Sequence, residues 1–317
     1  MAAIDAQPMI ELRNLHRYFG ATRAVDDVSF CVRRGQVFGY IGPNGAGKTT
    51  SKRILATLDL PTAGDALVDG FSVIDDPDRV RRRLGFMPDY FGTYANVNVW
   101  EYLDFFARAY QLDRRKRGEA IERVMDFTGL QVLADKPIDA LSKGMKQRLC
   151  LGRALIHDPA VLVLDEPAAG LDPRARIELR ELIRALAADG KAILISSHIL
   201  TELAEICDVV GILERGRLLA VGTVEEIQQQ GRRPQSMVQV RLLDDASALA
   251  QWLGMQPHVG QLRANGNAVS FQYAGDQPAQ AALLRSMIEG DFRVVAFGAQ
   301  RQTLEDVFMQ VTQGLVQ

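Results

Sequence analysis

The chain has 317 residues, 47% of them hydrophobic, and a formal net charge of −2. That length suits one large domain and one small one, the composition excludes an intrinsically disordered chain, and the charge gives no overall pull toward nucleic acid or an anionic membrane. Cys31, Cys150 and Cys207 show no metal-ligand spacing and no disulfide framework; each lies in an apolar stretch and is expected to be a small core residue in a reducing, cytosolic setting. No apolar run reaches the ~18 residues of a membrane span. The first residues lack the basic and apolar regions of a signal peptide. Work at a membrane is therefore expected to require docking on another chain embedded there.

From about Met9 to Phe38, short apolar runs alternate with turn residues, which predicts antiparallel strands. Gln36 to Ile41 then forms an apolar run of strand type, followed by Gly42-Pro43-Asn44-Gly45-Ala46-Gly47-Lys48-Thr49-Thr50. This is the G-x-x-x-x-G-K-[ST] pattern, the P-loop. Glycines let the backbone wrap a phosphate with its N–H groups turned inward, and a helix starting near Gly47 aims its positive end at the same group. Lys48 is placed to reach the β- and γ-phosphates, and the Thr49 hydroxyl to ligate Mg²⁺. Along residues 51–58, the spacing of Ile54, Leu55 and Leu58 predicts one buried helical face.

From about Tyr90 to Arg148 the pattern turns helical. The aromatic-rich stretch from Val99 to Phe106 reads either as core or as an interface, and Arg114 to Arg117 as a solvated helix start. In Leu141-Ser142-Lys143-Gly144, Ser142 has the character of a helix N-cap, and the small residues leave that helix end bare for an anion. Val161 to Leu164 is an unbroken apolar run ending in Asp165-Glu166, as in a parallel strand buried on both faces. Ligands collect at the carboxyl ends of such strands, so Asp165 falls where Mg²⁺ would sit and Glu166 where a general base would polarise water. Asp172-Pro173 reads as cap and first residue of an amphipathic helix carrying Ile177, Ile183 and Leu186, stopped at Asp189-Gly190. A further strand runs from Ala192 to Ser196, ahead of Ser197-His198.

The polar breaker run Gln228 to Gln235 reads as a linker. The domains are expected at 8–230 and 236–317. The second shows strand, helix, a hairpin about Asn265-Gly266, helix and strand, the β-α-β-β-α-β order of a ferredoxin-like module. A last helix from Thr303 to Thr312, capped by Thr303-x-x-Asp306, is expected to close the chain.

The order of P-loop, LSKGMKQR string, VLVLDE strand and Ser196-Ser197-His198 resembles the ATP-binding subunit of an ABC transporter over roughly residues 8 to 230. The C-terminal part, with Leu304-Glu305-Asp306-Val307-Phe308, resembles the extension of exporter-type members. The resemblance implies an α/β fold, a P-loop NTPase of ABC type with a mixed sheet, an antiparallel β subdomain and a helical subdomain. It implies ATP hydrolysis coupled to outward transport, with ATP and Mg²⁺ as cofactors. It implies a second ATP-binding subunit, as homo- or heterodimer, a separate integral membrane permease, no nucleic acid, and a place at the cytoplasmic face of the cell membrane through that permease. By the same resemblance His198 senses the γ-phosphate, Ser142 and Gly144 face the partner's nucleotide, Asp172 lies in a loop touching the partner, and Phe19 (with Tyr18 as neighbouring candidate) stacks on adenine. One departure concerns Asp89, which stands where the family has glutamine; it is expected to position Mg²⁺ or water, though a carboxylate cannot donate as an amide does. A soluble ABC ATPase acting on ribosomes or DNA is the alternative.

Overall fold

The computed structural model describes residues 7–89, 92, 96–197, 200–230, 236–300, 305 and 307–309. It divides into two compact units, Met1–Ile227 and Gln228–Gln317.

In the first unit, β1 (Ile10–Phe19) and β2 (Thr22–Val32) pair antiparallel. They are followed by β3 (Val37–Ile41), α1 (Lys48–Leu55), β4 (Ala63–Val68), β5 (Phe71–Ser72), α2 (Pro77–Arg83) and β6 (Leu84–Met87). A helical part comprises α3 (Val99–Ala109), α4 (Arg114–Thr128) and α5 (Lys143–Leu155). The chain then returns through β7 (Val161–Asp165), α6 (Pro173–Ala188), β8 (Ala192–Ser196), α7 (Leu200–Ile206), β9 (Val209–Glu214), β10 (Arg217–Thr223) and α8 (Val224–Gln230).

The strands form a small antiparallel sheet in the order β2-β1-β4-β5 and a larger sheet in the order β10-β9-β3-β8-β7-β6. The larger sheet is parallel except for β10 at its edge. Every residue of β3, β7 and β8 is buried, as expected of strands covered on both faces. One core joins the two sheets and α1: Phe30 of β2 stacks on Phe38 of β3 at 4.5 Å, beside Tyr40, Ile54 and Val163.

Local signals set the helix ends. Asn98 and Glu101 form a reciprocal capping box at α3, Asp113 caps α4, and Gly129 ends α4 in the left-handed region at φ 66. The aromatic stretch divides: Tyr102 and Leu103 enter the core while Trp100 and Phe105 face outward. The basic run also divides, because Arg117 turns back to pair with Asp104 of α3 at 2.6 Å.

Some expectations fail on burial. Leu58 is 54% exposed because α1 ends at Leu55, and Ile177 is exposed because the buried face of α6 is Leu179, Ile183 and Leu186. Cys31 is exposed, on the outward phase of β2. Gln228 to Gln230 continue α8 rather than loosening into a linker.

The second unit runs β11 (Ser236–Leu242), α9 (Ser247–Gly254), β12 (Val259–Asn265), β13 (Ala268–Tyr273), α10 (Gln277–Glu289) and β14 (Val294–Gln300). Its antiparallel sheet has the order β12-β13-β11-β14, so β13 lies between the strands that α9 connects, the split βαβ of a ferredoxin-like module. Val238, Val240, Val269 and Phe271 of the sheet pack on Leu249, Leu253, Leu283 and Met287 of the helices. Gly266 at φ 58 makes the hairpin turn. Of the expected last helix, Glu305 and Val307 to Met309 are helical; the rest of 303–312 lies outside the described residues.

Candidate functional site

The loop after β3 is built from close backbone approaches. Gly47 caps α1 at φ 104, and a Cβ there would overlap the carbonyl oxygen of Ala24; one at Gly42 would overlap that of Leu213. No side chain caps α1, which leaves its first N–H groups to whatever lies in front of them. Lys48 folds back on its own loop, its Nζ donating to the carbonyl oxygens of Gly42 at 2.5 Å and Pro43 at 3.1 Å.

The parallel register sets the opposite wall. Met87 pairs with Leu164, Asp165 with Ser196, and Ser196 with Tyr40, so the carboxyl ends of β6, β7, β8 and β3 line up. Asp165 is buried there, with Thr49 Oγ1 donating to its Oδ2 at 3.5 Å. Its Oδ1 takes the ammonium of Lys52 and the hydroxyl of Ser196, the latter at 2.9 Å. Lys52 also donates to Ser196 Oγ. Burial lowers the pKa of both Lys48 and Lys52; Glu166 and Asp165 oppose this at Lys48, and chiefly Asp165 at Lys52.

Lys52 and Ser196 were not assigned a role from sequence. The sequence shows only that Lys52 follows Lys48 by four positions, on the same helical face; Ser51 and Arg53 beside it are polar as well, so nothing local marks it out. Glu166, one residue beyond β7, adopts φ 49, a region where a non-glycine residue is strained. Its N–H is held by both the carbonyl oxygen of Ser196 at 3.1 Å and Ser196 Oγ at 3.3 Å.

These elements enclose a cleft of about 400 Å³ lined by Phe19, Ala24, residues 44–50, Asp89, Asp165 and Glu166. Gly42 and Pro43 are not on this lining; their carbonyl oxygens accept from Lys48. Phe19 is half-exposed at the rim, and the Arg17 guanidinium lies 4.3 Å above its ring. Tyr18 is engaged elsewhere: its hydroxyl lies 2.8 Å from His16 Nδ1 and 3.0 Å from Asp26 Oδ1. Asp26 also accepts from Arg217 Nε and Nη2 at 2.9 and 2.8 Å, and this pairing, then the Tyr18 hydroxyl, lowers its pKa to about 2. Asp89 is exposed, two residues past β6.

Ser142, Gly144 and Asp172 do not line this cleft; they form a second cluster. Ser142 caps α5, its Oγ accepting from the N–H of Met145 at 3.3 Å, and Asp172 caps α6, its Oδ1 accepting from Ala175 at 3.0 Å. Gly144 faces Leu171 and Ala175, so the two helix starts are neighbours. His198 lies outside the described residues.

The donor set suits Mg²⁺. Thr49 Oγ1 and Asp165 Oδ2 are hard oxygen ligands side by side on the cleft wall, with Asp89 on the same lining. No cluster of three or more His, Cys, Asp or Glu among the described residues makes an all-protein cage. A cation held here would share its coordination with phosphate oxygens and water, as Mg²⁺ does.

Residues 25–169 match the family described as ABC transporter, and residues 222–312 match the ATP-binding protein DrrA1-3-like, C-terminal domain. The Nod factor export ATP-binding protein I of Ralstonia nicotianae is 36% identical over 98% of this chain and 95% of its own length. An uncharacterized ABC transporter ATP-binding protein of Bacillus subtilis, YxlF, is 34% identical over 96% of this chain and 99% of its own. The probable multidrug ABC transporter ATP-binding protein YbhF of Escherichia coli is 39% identical over 71% of this chain, which spans 39% of that longer protein. A solved ATP binding subunit of an ABC transporter superposes with a TM-score of 0.64 at 32% identity, over 70% of this chain and 92% of that one.

Proposed function

The chain belongs to the family of ABC transporter ATP-binding proteins, and from that premise we propose how its residues divide the work of ATP hydrolysis. The observation that carries the reading is the meeting of Lys48, Thr49, Asp165 and Glu166 around one cleft. The N–H groups of the loop and of the α1 start bind the phosphates. Lys48 exchanges the carbonyl oxygens of Gly42 and Pro43 for oxygens of the β- and γ-phosphates. Phe19 offers its outer ring face to adenine. Thr49 and Asp165 hold Mg²⁺, with Asp89 as a further ligand or water anchor. Bound there, Mg²⁺ supplies charge compensation to the phosphate oxygens.

Glu166 takes the proton of the attacking water as its oxygen bonds to the γ-phosphorus. The bond from that phosphorus to the bridging oxygen breaks, and ADP and inorganic phosphate leave. The strained backbone of Glu166, pinned by Ser196, supports this role because it fixes the carboxylate's origin. His198, which follows Ser196-Ser197 in the sequence, is assigned to the γ-phosphate by the family resemblance.

Two such units pair, and Ser142, Gly144 and the Asp172 loop of each complete the other's cleft. The clustering of the two helix starts supports this, since both belong to one surface. ATP closes that dimer and hydrolysis opens it. Among the described residues no helix is long and apolar enough to cross a membrane; an integral permease provides the pathway and holds the chain at the cytoplasmic face. Exposed Trp100 and Phe105 on α3 are the surface offered to it. The likeness to the Nod factor export ATP-binding protein I of Ralstonia nicotianae supports outward transport. The C-terminal module stabilises or regulates the dimer; deletion of 236–317 is expected to weaken dimerisation or alter the ATPase rate.

Glu166→Gln tests the reading. It should keep ATP bound and lower kcat by about a hundredfold or more, with the dimer accumulating in size-exclusion chromatography. An unimpaired rate removes Glu166 from the general-base role.

A further inference from the structure

Lys52 carries a charge into the interior of α1. Its side chain is fully buried, one helical turn beyond Lys48, and a buried ammonium is costly unless it is paired and hydrogen-bonded. Both of its described partners lie at the carboxyl ends of the central strands: Asp165 Oδ1 of β7 and Ser196 Oγ of β8. Ser196 closes the arrangement by donating to the same Oδ1 at 2.9 Å and accepting from the N–H of Glu166 at 3.3 Å. The two oxygens of Asp165 are thereby made unequal. Oδ1 is saturated by a cation and a hydroxyl, while Oδ2 points to Thr49 Oγ1 at 3.5 Å, on the cleft side.

We propose that Lys52 is a positioning residue for Asp165: it locks Oδ1 into the wall, presents Oδ2 alone to the cleft, and cancels the carboxylate's charge, so that a divalent cation is held there only together with a nucleotide's phosphates. This rests on the reading of Asp165 as a Mg²⁺ ligand. Three facts act in the same direction. The Lys52 ammonium offsets the charge of Asp165 at contact distance. Lys48 brings a second ammonium to the same cleft. The ligating oxygens on the wall are Thr49 Oγ1 and Asp165 Oδ2, with exposed Asp89 further along the lining, too few for a cation that gives up its water reluctantly. The triphosphate supplies the missing negative charge and oxygens. The cation then enters as the nucleotide complex, and the nucleotide-free protein does not trap metal ions that would have to be displaced before turnover.

The test uses Mn²⁺ as the probe, titrated into the nucleotide-free full-length chain and read by the loss of free-ion EPR signal. The wild-type chain is expected to bind no Mn²⁺ that Asp165→Asn removes. Lys52→Met, which keeps the apolar stem and deletes the charge, is expected to bind Mn²⁺ at least about tenfold more tightly than wild type. The double variant Lys52→Met/Asp165→Asn should return to the wild-type level. A folded Lys52→Met chain with unchanged Mn²⁺ affinity overturns the proposal. So does nucleotide-free wild-type protein whose tight Mn²⁺ binding is abolished by Asp165→Asn, a result that decides the matter even if Lys52→Met does not fold. The underlying reading fails separately: Asp165→Asn would then leave the Mn²⁺ affinity of the complex with a non-hydrolysable ATP analogue unchanged.

Discussion

Thr49 Oγ1 and Asp165 Oδ2 lie 3.5 Å apart although 116 residues separate them along the chain. The contact is made where the start of α1 meets the end of β7, and it brings two hard oxygen atoms to one point of the cleft. Thr49→Val keeps the shape and removes the hydroxyl. We expect its ATP affinity in Mg²⁺ to fall by about tenfold, with affinity in EDTA unchanged. Equal losses under both conditions would take Thr49 out of metal binding.

Gly47 is held by its surroundings as well as by its φ of 104. Gly47→Ala forces a Cβ against the Ala24 carbonyl oxygen in a backbone region that disfavours it. The expected cost is about 2 kcal/mol or more, measured by chemical denaturation, together with loss of nucleotide binding.

Asp172 has a capping duty that can be separated from any duty toward a partner. Asp172→Ala loses the bond from Ala175 N–H and should cost about 1 kcal/mol, whereas Asp172→Asn retains an acceptor and should be near wild type in stability. If the carboxylate also serves the partner's cleft, Asp172→Asn still impairs ATP-driven dimerisation. Normal dimerisation by a stable Asn variant would leave capping as its whole role.

His157 gives a pH dependence with a definite sign. Its ring stacks on Tyr110 at 3.7 Å and its Nε2 donates to the Leu84 carbonyl oxygen at 3.2 Å, while buried Nδ1 has no hydrogen-bond partner among the described residues and hence nothing to receive a second proton's bond. Burial therefore pushes its pKa down to about 4. The folded state favours the neutral ring, so its contribution is complete above the ordinary histidine value of about 6.5 and is lost as pH falls toward 4. The loss is on the order of 3 kcal/mol. His157→Gln, which retains a donor for Leu84, should flatten the stability profile across that window. A profile as steep as wild type would assign the acid sensitivity to other groups.

Asp89 is exposed on the cleft lining and adds negative charge there. Asp89→Gln restores a donor and removes that charge; we expect a changed Mg²⁺ optimum for ATPase activity with folding intact. If Asp89→Ala leaves both turnover and its Mg²⁺ dependence as in wild type, Asp89 has no part in the chemistry.

The amino-acid sequence by itself determined the features whose physics is local. The glycines and lysine of 42–50, the buried strands ending at Asp165 and Ser196, the caps at Ser142 and Asp172, and the Asn265-Gly266 hairpin all depend on residues within a few positions of one another. Tertiary structure alone decided which side chains meet. Tyr18 and Phe19 were both candidates for the cleft until the Tyr18 hydroxyl was found against Asp26 and His16, leaving Phe19 at the rim. The outward turn of Leu58 and Ile177 followed from where helices end and which face the neighbours cover. Lys52 had no legible role because its meaning comes from Asp165 and Ser196, more than a hundred positions away. Periodicity sets an element's pattern of faces, but the electrostatic environment of a buried charge is fixed only when the parallel register brings distant strand ends together.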